Sequence, residues 1–290
     1  MIADNNLDPF SVLDIKEMAK VGSGDSVEVL IEIDRISQGQ EHGDPLPGVG
    51  DFTDARRLRV VKGQVEELEI LGEKDLSQPS ELAKFISWGI GRAPADHVAL
   101  VLWDHGGAET GYGVDETSGG PPMSISGIAT ALKDGLGGKK LDILGFDACL
   151  MGQIEVAHAL APYARYFVAS EESEPGPGWE WSAVVSMAST RPTPEALAAS
   201  IPSSYVAGIN AQAPKAADAL TLAAIDLDKI GAVWDAQQAL GQAVMDAVTA
   251  GNAAGVARAF ADADRFAVAA APLATDLAGQ SASQMILVTL

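Results

Sequence analysis

The sequence predicts an α/β protein in which helices cover both faces of a mostly parallel sheet. Three observations carry the prediction: short apolar runs recur along the chain, helix-like segments alternate with them, and long Gly/Pro-rich loops follow two of the runs. Apolar character that is continuous rather than alternating marks strands buried on both faces, as parallel strands under helices are.

In chain order, a helix is expected over 9–22 ("PFSVLDIKEMAKVG"), then strands at 27–33 ("VEVLIEI") and 57–61 ("RLRVV"). Ser80 opens a helix over 80–91, because its hydroxyl can accept from first-turn N–H groups that have no helical partner; a strand follows at 98–102 ("VALVL"). The helix over 124–138 stops on Gly137 and Gly138, residues suited to the left-handed turn that ends helices. A strand at 141–146 ("LDILGF"), a helix over 151–163 and a strand at 166–170 ("YFVAS") come next. Pro194 begins a helix to 209 at a position where the missing N–H costs nothing, and a strand covers 220–227. From about 228 the chain turns Ala-rich and helical, over 227–252 and 255–270. The organisation expected is one domain over 1–228, with 229–290 as a helical extension packed on it. The last segment, "SQMILVTL", is strand-like without an evident partner, and implies that the chain continues.

Composition excludes several function classes. With 19 basic against 40 acidic residues the 290-residue chain carries −21, which repels polyanions and makes nucleic acid an unsuitable partner. No apolar run is long enough to span a bilayer, so no membrane partner is expected. The N-terminus "MIADNNLDPF" lacks the basic and apolar regions of a signal peptide, leaving the compartment undefined. No zinc, dinucleotide or P-loop motif is present.

The single cysteine, Cys149, lies just past the strand "LDILGF" and at the expected start of a helix, where N–H groups and the helix dipole favour a thiolate. Packing alone would also explain it, since cysteine is among the most buried residue types. A nucleophilic thiol needs a base, and four histidines are available. His158 lies within the following helix, His42 in a Gly/Pro loop, and His97 at the amino end of a strand. Only His105, in "VALVLWDHGG", shares the carboxyl edge with Cys149, the edge where open α/β sheets bind ligands. If strands 98–102 and 141–146 are neighbours, His105 and Cys149 meet. The loop "SEESEPGPGWEW" adds Glu172, or Glu174, as a second carboxylate and Trp179 as an apolar wall; a solvated acidic loop with a packing tryptophan explains the same residues.

Four stretches, "IADNNLDPF", "LVLWDHGG", "GFDACLMGQIEVAHAL" and "ASEESEPGPGWEW", together resemble the clostripain family (C11) of cysteine peptidases over about residues 2–230. The resemblance implies a caspase-like three-layer α/β/α sandwich with a mostly parallel central sheet, here followed by a C-terminal helical layer. It implies Cys149 as nucleophile, His105 as general base and acid, and an oxyanion hole from the N–H groups of Gly106 and Cys149. It implies cleavage after Arg or Lys, with Asp147 in the pocket for that side chain, where a buried cation needs a charged partner. Some relatives need calcium, and Asp115 and Glu116 are oxygen donors of the right kind; no cofactor is required by the residues themselves. The expected partner is a peptide or protein substrate, and relatives suggest a monomer. The alternatives are a catalytically impaired remnant that binds peptides or acts as a scaffold, and a hydrolase of non-peptide amides.

Two departures from the family matter. Relatives begin with a complete apolar strand before the "ADNN" segment, whereas this chain starts at its last residues, so either the start lies upstream or an inner strand is lacking. Several relatives are self-cleaved after a basic residue near the histidine; here no Lys or Arg occurs from Gly106 to Leu132, so a single uncut chain is expected.

Overall fold

The computed structural model describes residues 1–37, 42–212 and 220–262. It divides into a first compact unit, Met1–Ile230, and a second that begins at Gly231. In chain order the first unit comprises β1 (Ile2–Ala3), α1 (Asp8–Val21), β2 (Leu30–Arg35), β3 (Ala55–Val61), β4 (Gln64–Gly72), α2 (Pro79–Arg92), β5 (Ala99–Trp103), α3 (Ile125–Leu136), β6 (Leu141–Asp147), α4 (Ile154–Leu160), β7 (Ala164–Ala169), α5 (Trp181–Ser189), α6 (Pro194–Gln212) and β8 (Ala223–Asp226). Helices α7 (Ile230–Thr249) and α8 (Ala253–Asp262) follow. The expected strand at the extreme C-terminus lies outside the described residues, as does the end of the helix expected over 255–270.

The strands form two four-stranded sheets, β1-β2-β3-β4 and β5-β6-β7-β8. Pairing is parallel for β1–β2, β5–β6 and β6–β7, and antiparallel for β2–β3, β3–β4 and β7–β8. Strand β6 shows why the sequence sits as it does. Its successive side chains alternate between the two faces, Leu144 and Phe146 joining the cluster that includes α2, α3 and α4, and Ile143 the cluster that includes α1, α5 and α6. Strand β7 repeats the pattern, with Phe167 on the first face and Tyr166 and Val168 on the second. Two helical layers therefore enclose the sheet, and a fully buried Phe146 contributes on the order of 2–3 kcal/mol of hydrophobic stabilisation. Gly145 has no side chain because Trp179 occupies its place: a Cβ there would lie 2.6 Å from the indole.

Strand β4 and helix α5 fall in segments where the sequence predicts no regular element. Strand β4, "QVEELEILG", joins β3 through a turn at Gly63 (φ 87°) and is exposed along most of its length. Among the described residues no helix is long and apolar enough to cross a membrane.

Candidate active site

Parallel pairing of β5 with β6 sets Trp103 opposite Asp147, and the Asp104 N–H donates to the Asp147 carbonyl at 3.3 Å. Two residues further along each strand stand His105 and Cys149. Their backbones pack against one another: a Cβ on Gly106 would lie 2.2 Å from the Cys149 carbonyl oxygen. Only glycine tolerates that approach, so the residue after the histidine is a steric requirement of the juxtaposition.

The thiol is not at a helix N-terminus. Residues 148–152 form bends and turns, Leu150 takes φ 65°, and α4 starts at Ile154. The helix-dipole argument for Cys149 therefore does not hold in this fold. The Leu150 N–H is spent on the Glu172 carbonyl (3.0 Å) and the Gly152 N–H on the Ser170 carbonyl (2.6 Å). The thiol instead meets the loop after β7, accepting from the Glu174 N–H at 3.3 Å, with the Glu174 carbonyl 3.8 Å from Sγ.

His105 is half-buried, and burial lowers its pKa while the Glu116 carboxylate opposes the shift. Its Nε2 lies 2.8 Å from the Asn6 carboxamide oxygen, an acceptor, so Nε2 carries the proton and Nδ1 is the basic nitrogen. Sequence reasoning missed Asn6, although "ADNN" was part of the recognised motif. Its neighbour Asn5 holds the loop from beneath, donating to Asp104 Oδ1 and the Val114 carbonyl, both at 2.8 Å, and accepting from the Leu7 N–H at 2.8 Å. Asp104 is buried and faces these groups; burial pushes its carboxyl up to about 8 against the Val114, His105 and Asn5 hydrogen bonds. It is a brace for the loop.

Asp147 is 5% exposed and accepts from Trp181 Nε1 (2.9 Å) and the Trp179 N–H (3.2 Å). Burial raises its pKa to about 6, while hydrogen bonds from Glu174, Trp181 and Trp179 hold it down. Gly178, at φ 58°, passes so close that a Cβ would lie 2.7 Å from Asp147 Oδ1. Beside Asp147 lies Glu174, whose two carboxyl oxygens are buried and accept no hydrogen bond; burial, then the Asp147 charge, raises its pKa well above the carboxylate range, so its proton bridges to Asp147. The hydroxyl of fully buried Tyr205 is equally unpartnered and feels Glu174, Asp147 and Cys149. Glu174 is thus the second carboxylate next to Asp147. Glu172 contributes its backbone, its N–H donating to Thr221 Oγ1 at 3.0 Å and its carbonyl receiving Leu150. Trp179 is 1% exposed and stacks on Trp181 with ring centroids 5.6 Å apart, so it lies in the core below Asp147. Asp115 belongs to a separate acidic cluster with Asp4 and Glu73, whereas Glu116 reaches that cluster only by donating its backbone N–H to the Asp4 carbonyl at 2.8 Å.

A helix-covered sheet of this topology, with a histidine and a cysteine on adjacent parallel strands, defines a caspase-like α/β protein. The model of the clostripain family, peptidase family C11, matches residues 1–276, and the chain belongs to that family. It is 29% identical over 213 residues to clostripain of Hathewaya histolytica, a match spanning 63% of this chain and 40% of that protein. Among solved structures, a secreted C11 cysteine protease of Bacteroides thetaiotaomicron in complex with an irreversible peptide inhibitor superposes with a TM-score of 0.63 at 22% identity, covering 79% of this chain and 65% of the other. An inactive zymogen C11 protease of Parabacteroides distasonis gives 0.58 at 21% identity, over 79% and 61% of the two chains. These structures share the fold.

Proposed function

We infer that this protein is a cysteine endopeptidase that hydrolyses peptide bonds after arginine or lysine. The observation that supports the reading best is the placement of one thiol between an imidazole-bearing loop and a buried pair of acids: Gly106 packs on the Cys149 backbone, and Asp147 and Glu174 lie behind the sulfur without a cationic partner among the described residues. A guanidinium or ammonium reaching these acids would pair with the Asp147 carboxylate and with Glu174 oxygens that accept nothing else, and the Tyr205 hydroxyl would accept from it.

In this reading His105 Nδ1 takes the thiol proton and the sulfur attacks the scissile carbonyl. The oxyanion forms beside the backbone N–H groups of Gly106 and Cys149, whose removal in such sites costs about 10²–10³ in rate. The imidazolium then protonates the leaving amine, and the same nitrogen activates the water that releases the acyl group. No basic residue lies between Gly106 and Leu132, so the active form is one chain through that loop; mass spectrometry of active protein split between those residues would contradict this.

The test is hydrolysis of matched fluorogenic peptides ending in Arg, Lys, Asp or Leu. The expected result is turnover of the Arg and Lys peptides alone, abolished in Cys149→Ala and reduced at least about 10²-fold in His105→Ala. Turnover of the Leu or Asp peptide at comparable rate would overturn the specificity. Folded protein that turns over none of them would overturn the activity.

A further inference from the structure

Behind the thiol, Asp147 and Glu174 make a contact with each other that two anions cannot make. Both Asp147 carboxylate oxygens are already in use, Oδ1 accepting from the Trp179 N–H at 3.2 Å and Oδ2 from Trp181 Nε1 at 2.9 Å. Glu174 is hydrogen-bonded to the same group, while its own two oxygens are buried and accept from no donor. A carboxylate has no hydrogen to give, so a hydrogen bond between two carboxyl groups requires a proton on one of them. The pair therefore holds one proton and one negative charge, as closely set carboxyls do.

The groups that face the pair do not supply a positive charge. Asp14 faces it from α1, Tyr205 from α6 and Cys149 from the turn after β6. Glu17, also on α1, accepts the Trp181 N–H at 3.2 Å and is itself paired with Lys20 at 3.3 Å on the exposed side. Among the described residues neither Asp147 nor Glu174 is ion-paired with a lysine, arginine or histidine. Burial and the neighbouring Asp147 charge keep the proton on Glu174, whose pKa stands well above the usual range while that of Asp147 is about 6. The proton is the cation of the resting site.

We propose, resting on the reading that the substrate's arginine or lysine reaches these acids, that its cation takes the place of the proton they share. The Glu174 O–H bond breaks, the proton passes to solvent, and the freed oxygens accept from guanidinium or ammonium N–H groups beside Asp147. One positive charge replaces another, so the buried site carries one net negative charge before and after. Burial therefore opposes this exchange far less than it opposes ionisation of Glu174 alone. An uncharged side chain offers no exchange and gains nothing from Glu174. Glu174 is thus a specificity-determining residue that acts by giving up its proton, and affinity for a basic side chain rises with pH wherever the free pair holds that proton and the occupied pair does not.

The experiment is calorimetric titration of a peptide ending in Arg into the full chain carrying Cys149→Ala, which binds without turnover, at pH 7 in buffers of different ionisation enthalpy. The slope of observed enthalpy against buffer ionisation enthalpy counts the protons exchanged. Release of about one proton per bound peptide is expected, with a Kd that tightens about tenfold between pH 6.5 and 7.5. With Glu174→Gln added, an amide that cannot ionise, release should fall to near zero and most of the pH dependence should disappear. Peptide bound without proton release would overturn the proposal, because Glu174 would then keep its proton while Asp147 alone pairs with the cation; that result stands whether or not the Glu174 variant folds. Release that persists in folded Glu174→Gln would overturn it too, by placing the source of the proton elsewhere. Both outcomes leave the proposed specificity standing, whereas folded protein that binds no Arg peptide overturns that specificity and this inference together.

Discussion

In the proposed reading Asp147 holds the substrate's cation through its charge, and hydrogen bonds from Glu174, Trp181 and Trp179 favour that charge against burial. With a pKa of about 6, raised by burial and restrained by donors, it is ionised at neutral pH and protonated under mild acid. A cationic side chain is held only by the ionised form, so kcat/KM for an Arg peptide should fall as pH drops through about 6. Trp181→Phe removes the indole donor at 2.9 Å, which leaves burial less opposed and raises the pKa further. The acid limb should therefore move to higher pH in the variant, and identical profiles between pH 5 and 8 would show that Asp147 does not bind the substrate. Asp147→Asn removes the charge while keeping the shape. A desolvated charge-assisted contact is worth roughly 2–3 kcal/mol, so Arg and Lys peptides should lose about 30- to 150-fold in kcat/KM while any residual turnover of a neutral peptide is unaffected.

At the scale of elements, the loop after β5 is held by the segment after β1 and by close contact with the loop after β6. Asn5→Ala strips one donor group and one acceptor from a buried network and leaves the Asp104 and Val114 oxygens short of a partner, for a loss of about 1–3 kcal/mol measurable by urea unfolding. Two glycines give a sharper contrast. A methyl on Gly106 meets the Cys149 carbonyl, so Gly106→Ala should abolish turnover, whereas Gly89 in α2 has nothing within 4 Å and Gly89→Ala should stabilise the fold by about 0.5–1 kcal/mol with activity kept. Thermal denaturation and Arg-peptide turnover of the pair check both. The neighbouring strands that make this loop matter were legible because β5, β6 and β7 are near-continuous apolar runs, and such runs are recognised without tertiary information. Strand β4 was not, because its glutamates face solvent and its residues lack both buried and alternating character. The turn at Cys149 was hidden by residues 151–163, which have helical composition throughout although only Ile154–Leu160 are helical. The acidic cluster was legible only in Asp115, which could be nominated from its residue type, whereas Asp4 and Glu73 join it only through long-range pairing of β1 with β2 and the turn after β4.

Across the whole molecule, the −21 formal charge conceals an uneven distribution of protons. The folded chain buries acids that the unfolded chain would expose: Asp104 is raised to about 8, Asp147 to about 6 and Glu174 well above its usual value, burial leading in each case. A carboxyl with a higher pKa in the folded than in the unfolded state keeps its proton longer on folding. Its contribution to stability is full below the unfolded pKa near 4 and is lost as pH rises through the folded value. The buried Met1 amino group works in the opposite direction, its pKa lowered to about 6 by burial, so folding releases its proton and stability gains as pH rises from about 6 to 8. One amine stands against several carboxyls, and mutual repulsion among 40 acidic residues adds to the carboxyl side as ionisation completes. The net expectation, in chelator and moderate salt, is a midpoint of thermal unfolding that is higher at pH 6 than at pH 8, by about 2–8 °C for a domain of this size. Asp104→Asn isolates one of these carboxyls: by replacing the titrating group with a neutral amide of the same shape it should flatten the decline between pH 6 and 8. A midpoint that rises with pH in the wild type, or a slope unchanged in Asp104→Asn, would mean that Asp104 is already ionised in the folded state and is satisfied by its bonds to Asn5 and Val114.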